Sequence, residues 1–329
     1  MRVSTTISPK LARIQTVNPP DTGKIQRLTF AQLILYLAVW LFGIYINGFE
    51  PSPSETVGSP ASFFLNPAVI IHFVLAAATA SVGIMLFSLG WVYGLRKFTV
   101  LTGLSLASIA IAATGGLSFV FGMGNQGTDS MLMATSFITA LYLTFLAILS
   151  TGLPEMPRKS GIQSLSFMVL GLFYLVFLSG IYVNLFVASS VFSEPPAVTT
   201  QMLGQMVTSP PVLLHETSGV LLLGLAIALT ATLFRARFRE LAIRGALCSL
   251  LIVYSLLEGV LMNVLPIFEP PTSPALSSQT NHFYIVTSVV APLFSAAGFL
   301  AAILIAMSIA QRLWILPHPT LRVRREESS

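Results

Sequence analysis

Long runs of apolar residues, separated by short polar segments, recur along almost the whole chain. Each run has about 20 to 28 residues, and a helix needs about 20 apolar residues to cross a hydrocarbon core of about 30 Å. The alternation of apolar and polar positions that is typical of a β-barrel is absent. The pattern predicts an all-α polytopic membrane protein with eight transmembrane helices at 29–47, 67–94, 99–122, 130–152, 162–189, 211–234, 243–266 and 283–311.

The composition excludes a soluble globular protein. Hydrophobic residues make up 54% of the 329 residues and charged residues 9%, whereas a soluble domain has about 25% charged residues. The single cysteine, Cys248, lies within an apolar run, so this chain alone forms neither an intrachain disulfide nor a thiolate metal cluster. The sequence contains no phosphate-binding loop, nucleophile triad or basic nucleic-acid patch, so we expect no nucleic-acid partner.

The basic residues lie in those segments of the chain that the predicted topology places on one side of the membrane. Of the 17 lysines and arginines, 16 lie before the first span, in every second connection or after the last span, and Arg244 is the second residue of the predicted span 7, next to such a connection. The other four connections have only acidic charges: Glu50, Glu55, Asp129, Glu194 and Glu269. By the positive-inside rule, both termini are cytoplasmic and these four connections face outward. We expect a multi-pass protein of the plasma membrane, with the lipid bilayer as its first partner.

An internal repeat divides the chain into two halves. Three pairs of segments match: FGIYIN (42–47) with SGIYVN (179–184), NPAVIIH (66–72) with SPPVLLH (209–215), and TDSMLMATS (128–136) with TNHFYIVTS (280–288). Both halves begin on the cytoplasmic side, which predicts two parallel four-helix repeats about an axis along the membrane normal. The predicted parts are a cytoplasmic segment (1–28), the first repeat (29–152), the second repeat (162–311) and a cytoplasmic tail (312–329).

Three of the four histidines lie at the outer ends of even-numbered spans: His72, His215 and His282. His215 lies about 7 to 8 Å below the outer end of span 6. Two imidazoles on neighbouring helices can bind haem iron from opposite faces, so His215 and His282 are predicted as axial ligands of one haem b in the second repeat. A hydrogen-bonded pair of histidines, or a copper or zinc site, is the alternative.

His72 and Glu258 are less specific candidates. Ser130 lies opposite His282, so the first repeat has one imidazole where the second has two. His72 therefore either supports a second haem in the first repeat or has only a hydrogen-bonding role. Glu258 lies in span 7, about 10 residues from its outer end. It is the candidate catalytic residue as a proton relay, and its alternative is a carboxyl group bonded to a serine or tyrosine of a neighbouring helix.

Eight spans in two four-helix units, with histidines at the outer ends of even spans, resemble the haem A synthase family of cytochrome oxidase assembly proteins. The segments GGLSFVFGM (115–123) and NVLP (263–266) are similar to the ends of the family's spans 3 and 7. The resemblance implies a haem b in the second half and a haem O oxidation site in the first. It implies that His215 and His282 are the second-half ligands and that His72 is the first ligand of the substrate half.

Three positions depart from that family. Ser130 stands where the second histidine of the substrate half belongs, Val69 replaces a glutamate and Phe73 a common arginine. These departures favour a b-type haem protein that transfers electrons in a respiratory complex, between quinol and an extracytoplasmic electron carrier. The alternative is a divergent haem A synthase, and a third is a haem-free membrane subunit or transporter.

Overall fold

A computed structural model describes residues 22–49, 65–121, 123, 126–151, 161–188, 205–268 and 291–315. These residues form helices, and no strand occurs among them. The helices are α1 (Thr22–Phe49), α2 (Pro67–Val92), α3 (Arg96–Phe121), α4 (Gln126–Thr151), α5 (Gly161–Tyr182), α6 (Pro210–Arg235), α7 (Arg239–Phe268) and α8 (Ala291–Ile315), and the π-helical segment Val183–Ala188 follows α5. All eight have spans long and apolar enough to cross a membrane. The prediction of an all-helical polytopic membrane protein is confirmed.

One helix boundary differs from the prediction in a way that affects the candidate site, and another falls outside the described residues. Helix α4 begins at Gln126 rather than at 130, which places Asp129 inside the helix. Helix α8 is described from Ala291, so His282 and the predicted start of span 8 lie outside the described residues.

Local sequence signals explain where α2 and α6 begin. Each has a proline in its first turn, where the missing N–H would have no helical partner. Asn66 caps α2 by accepting a hydrogen bond from the Ala68 amide at 2.8 Å. His72 follows Pro67 by five residues, and His215 follows Pro210 by five residues. The two histidines therefore lie at the same depth from the starts of their helices.

The turns that end α2 and α6 also have the same structure. The amide of Leu95 donates to the carbonyl of Gly90 at 2.9 Å, and the amide of Phe238 donates to the carbonyl of Leu233 at 3.0 Å. These bonds define a Schellman motif, whose residue after the cap adopts a left-handed conformation. Gly94 has a φ of 66° and Arg237 a φ of 62° at that position.

Helices α1–α4, which we call the first unit, and α5–α8, the second unit, pack alike. In each unit the first and third helices both contact the second and the fourth helix, so that the four helices form a closed ring. Between the units, α1 and α4 contact α5 and α8. Most of the buried apolar residues lie in the second unit and along this junction.

Aromatic contacts show how the two units correspond. The rings of Tyr36 and Trp40 pack on Phe137, with centroids 5.4 and 5.2 Å apart. In the second unit, Phe173 and Phe177 pack on Phe299 at 5.1 and 6.5 Å. Phe173 and Phe177 of α5 follow Tyr36 and Trp40 of α1 by 137 residues, and Phe299 of α8 follows Phe137 of α4 by 162 residues.

A hydrogen bond gives the same correspondence for the fourth helices. Ser105 Oγ donates to the carbonyl of Ala140 at 3.0 Å, and Cys248 Sγ donates to the carbonyl of Ala302 at 3.4 Å. Ala140 and Ala302 are again 162 positions apart. Continued along α4 and α8, this spacing places Ser130 opposite Pro292. The matching segment 280–288 lies outside the described residues, so the prediction that Ser130 lies opposite His282 rests on the sequence alone.

The described charges divide the bundle into two ends. His72 and His215 lie near the starts of α2 and α6, at what we call the histidine end. All described basic residues lie at the opposite, arginine end: Lys24, Arg27, Arg96, Lys97, Arg235, Arg237, Arg239, Arg244 and Arg312. Arg244 pairs there with Glu240 of the same helix at 2.5 Å. Both histidines therefore lie far from the described cationic side chains.

Candidate functional site

The imidazole of His215 packs directly against the backbone of α5. It lies five residues after Pro210, about 7.5 Å along α6. A Cβ atom on Gly180 would stand 2.8 Å from its Cε1 and 3.3 Å from its Nδ1. Such a contact is too short for any side chain, so glycine at 180 is needed for the imidazole to occupy this position.

Ser179 of α5 is the side-chain hydrogen-bond partner of His215 at Nδ1. Its Oγ donates to the carbonyl of Val176 at 3.1 Å and lies 3.1 Å from Nδ1 of His215. The His215 ring also has a hydrogen bond with the main chain of Val176, as the His72 ring has with that of Val39. In the tautomer with the proton on Nδ1, the Ser179 oxygen accepts that proton's hydrogen bond and the lone pair of Nε2 is available for a metal.

His72 occupies the corresponding position in the first unit but lacks this partner. A Cβ atom on Gly43 would stand 3.3 Å from its Cε1, and its ring faces the main chain of Val39. Phe42 stands where the second unit has Ser179. The Nδ1 of His72 is buried and makes no hydrogen bond.

Small apolar clusters lie next to both histidines. Val69, only 1% exposed, packs with Val120 and Ile46. Its counterpart Val212 packs in the same way with Met206 and Val183. Valine is thus the packing residue at this position in both units, where the resembled family has a glutamate in the first half.

Glu258 lies in α7, and its hydrogen-bond partner belongs to the same helix. Its Oε1 accepts a bond from the hydroxyl of Tyr254, one turn earlier. Its Oε2 is buried without a hydrogen-bond partner. The sequence-based alternative placed the partner on a neighbouring helix, and the structure places it on α7 instead.

Asp129 is a buried carboxylate that the sequence analysis assigned to an outer loop. It lies in the first turn of α4, is 7% exposed, and its Oδ2 has no hydrogen-bond partner. Its main-chain oxygen would be 3.0 Å from a Cβ on Gly115, the residue that corresponds to Glu258 in α7. Each unit therefore has one carboxylate with an unpartnered oxygen near its histidine end.

Each unit has one described histidine at the histidine end, His72 in the first and His215 in the second. No group of three or more metal-binding side chains occurs among the described residues. The imidazole of the second unit has a hydrogen-bond partner at Nδ1, and an outer hydrogen bond of this kind is common in histidines that ligate a metal. His282, the predicted second ligand, lies outside the described part of the chain.

No protein-family model matches the chain, and no curated protein matches it either.

Proposed function

We propose that this chain is a membrane b-type haem protein whose haem is bound by His215 and His282. The observation that carries the proposal is the contact of Ser179 with Nδ1 of His215, at 3.1 Å, because it orients Nε2 as a ligand. Gly180 supports it by giving the ring room against α5. When bound, the haem supplies a one-electron redox couple.

We further propose that α1–α4 and α5–α8 are parallel repeats, with both termini cytoplasmic. Residues of the first unit and their counterparts in the second follow each other in the same order along corresponding helices. This supports a parallel rather than an inverted relation between the two units. The described basic residues at the arginine end support a cytoplasmic location of that end in the plasma membrane. The haem then lies toward the extracytoplasmic side, where it transfers electrons from quinol to a carrier within a respiratory complex.

The test is a reduced-minus-oxidised spectrum with pyridine haemochrome quantification on the purified protein. We expect one low-spin haem b in the wild type, no haem in His215→Ala or His282→Ala, and full occupancy in His72→Ala. Protein without a low-spin haem spectrum after haem supplementation, or a His215→Ala variant that keeps its haem, would contradict the proposal. Circular dichroism of each variant establishes that a loss of haem is not a loss of fold.

The second candidate is a divergent haem A synthase, and the packing of His72 favours it. His72 lies against Gly43 as His215 lies against Gly180, and its ring faces the main chain of Val39 as that of His215 faces Val176. This candidate predicts a second haem that depends on His72, and haem A formation when the chain is expressed with a supply of haem O. Under the first proposal, neither is observed.

A further inference from the structure

One face of α5 meets the imidazole of His215. The ring has a hydrogen bond with the main chain of Val176, lies 3.1 Å from Ser179 Oγ and packs against Gly180. These three residues of α5 lie at i, i+3 and i+4, the spacing of neighbours on one face of a helix. The rotation of α5 about its own axis therefore decides whether the serine and the glycine meet the ring.

A second face of α5 contacts the first unit. It consists of Leu170, Tyr174 and Phe177, which lie at i, i+4 and i+7 and so share one side of the helix. Because consecutive helical residues are about 100° apart, this face lies roughly 130° around the axis from the face that meets His215. Contacts on the second face can therefore hold the helix without occupying the histidine site.

Two hydrogen bonds join the second face of α5 to α4. Tyr142 Oη donates to the carbonyl of Leu170 at 2.8 Å, and Tyr174 Oη lies 2.8 Å from Thr139 Oγ1. The two tyrosine rings also contact each other, with centroids 5.1 Å apart. These contacts lie about 7 to 14 Å from Ser179 along the helix axis, so they attach the middle of α5 to the first unit.

Trp40 of α1 makes the described contact of the first unit that lies nearest to this site along α5. Its ring packs on Phe177 of α5 and on Phe137 of α4, with centroids 5.0 and 5.2 Å apart. Phe177 directly follows Val176 and precedes Ser179 by two residues. The indole Nε1 is buried and has no hydrogen-bond partner among the described residues. The position therefore contributes the area of the ring rather than a hydrogen bond.

A second tryptophan offers a matched comparison on the same helix. Trp314 of α8 packs on Phe167 of α5, with centroids 5.4 Å apart. It is half-buried like Trp40, and its Nε1 is likewise buried without a partner in the described part of the chain. Phe167 precedes Ser179 by 12 residues, which is about 18 Å along the axis. The two indoles thus support one helix at different distances from the histidine site.

We propose that Trp40 is a positioning residue of the His215 site. Through its contact with Phe177, the first unit holds α5 in the rotation at which the serine and the glycine meet the imidazole. This inference rests on the proposed function for the haem itself, and it adds a role for the first unit in a site that the second unit forms. The haem of one unit then depends on packing supplied by the other.

The test measures the surroundings of the His215 ring in the haem-free, full-length protein, by nitrogen NMR of isotope-labelled histidine in detergent. The His215→Gln variant assigns the signal. We expect Trp40→Ala to shift the Nδ1 signal in the same direction as Ser179→Ala does. Trp40→Phe keeps a ring against Phe177 and should restore the wild-type signal. Should Trp40→Ala not fold, as judged by circular dichroism, Trp40→Leu replaces it with the same expected shift.

Trp314→Ala is the matched control. We expect it to lower the melting temperature about as much as Trp40→Ala does and to leave the Nδ1 signal unchanged. Haem titration of the same variants gives a second readout. The affinity should fall by about tenfold in Trp40→Ala, the lower end of the effect of a lost outer hydrogen bond, and should stay at the wild-type value in Trp314→Ala.

An unchanged Nδ1 signal in folded Trp40→Ala or Trp40→Leu would overturn the proposal. So would an equal shift in Trp314→Ala, which would indicate a general loosening of α5, or a Trp40→Phe signal as displaced as that of Trp40→Ala. A wild-type protein that binds no haem contradicts the proposed function instead. The Nδ1 signals of the haem-free protein still decide whether Trp40 positions the ring, so the two failures are distinguishable.

Discussion

Ser179 Oγ lies 3.1 Å from Nδ1 of His215, whereas Nδ1 of His72 has no hydrogen-bond partner. Phe42 takes the place of the serine in the first unit. Both imidazoles pack against a glycine at corresponding positions. The two sites therefore share a backbone arrangement and differ in the side-chain hydrogen bond to the ring, which favours the second unit for metal binding.

Ser179→Ala should weaken haem binding without removing it. Loss of the partner that accepts the Nδ1 proton typically lowers metal affinity by about 10- to 100-fold, and haem titration of the apoprotein measures this. Ser179→Thr keeps the hydroxyl and should retain most of the affinity. An unchanged affinity in Ser179→Ala would show that the hydrogen bond does not orient the ligand.

Gly180→Ala should disturb the protein more than Gly43→Ala does. The added methyl group would stand 2.8 Å from the His215 ring but 3.3 Å from the His72 ring. Forcing an extra carbon into a packed site costs about 1 to 3 kcal/mol. We expect Gly180→Ala to lower both the haem content and the melting temperature in detergent, and Gly43→Ala to cause only a smaller fall in melting temperature. Equal effects would contradict the difference in packing.

The eight helices were predictable because each is an apolar run of sufficient length, and the matching starts at Pro67 and Pro210 follow from local sequence. The contact of Ser179 with His215 was not predictable. It depends on the rotation of α5 against α6, which the segment SGIYVN does not encode. In the sequence, Gly180 is recognisable only as the glycine that matches Gly43 in the repeat. Its role becomes clear only when the position of the His215 imidazole is known.

Asp129 was missed because the apolar run begins one residue later, and hydropathy does not register a polar first turn of a helix. The correspondence of Phe137 with Phe299 was not predictable either. It follows from the packing of the two rings on Tyr36 and Phe173 within the bundle, which no matching sequence segment indicates. A search for acidic residues just before a predicted span would have found Asp129.

Tyr36→Phe and Phe173→Tyr should have unequal effects on stability, although they exchange the residues of corresponding positions. Removing the Tyr36 hydroxyl loses bonds to Gln32 and Ser105, at a cost of about 1 kcal/mol. A hydroxyl at 173 would be buried at a position where Val169, Cys248 and Ala306 correspond to Gln32, Ser105 and Thr144, and it would cost about 1 to 3 kcal/mol. Thermal unfolding in detergent measures both, and a larger loss for Tyr36→Phe would contradict the assigned correspondence.

Arg237→Gly should stabilise the protein, and Gly94→Ala should destabilise it. Both positions end a helix in the left-handed region, with φ of 62° at Arg237 and 66° at Gly94, where a non-glycine residue is strained by about 1 kcal/mol or more. Replacing Arg237 with glycine relieves that strain. The gain in stability is smaller by a few tenths of a kcal/mol, because glycine gives the unfolded chain more conformational freedom. Melting temperatures in detergent should therefore move in opposite directions for the two variants. Arg237→Ala is the control: it removes the charge but keeps a Cβ, so a rise as large as that of Arg237→Gly would assign the effect to the charge.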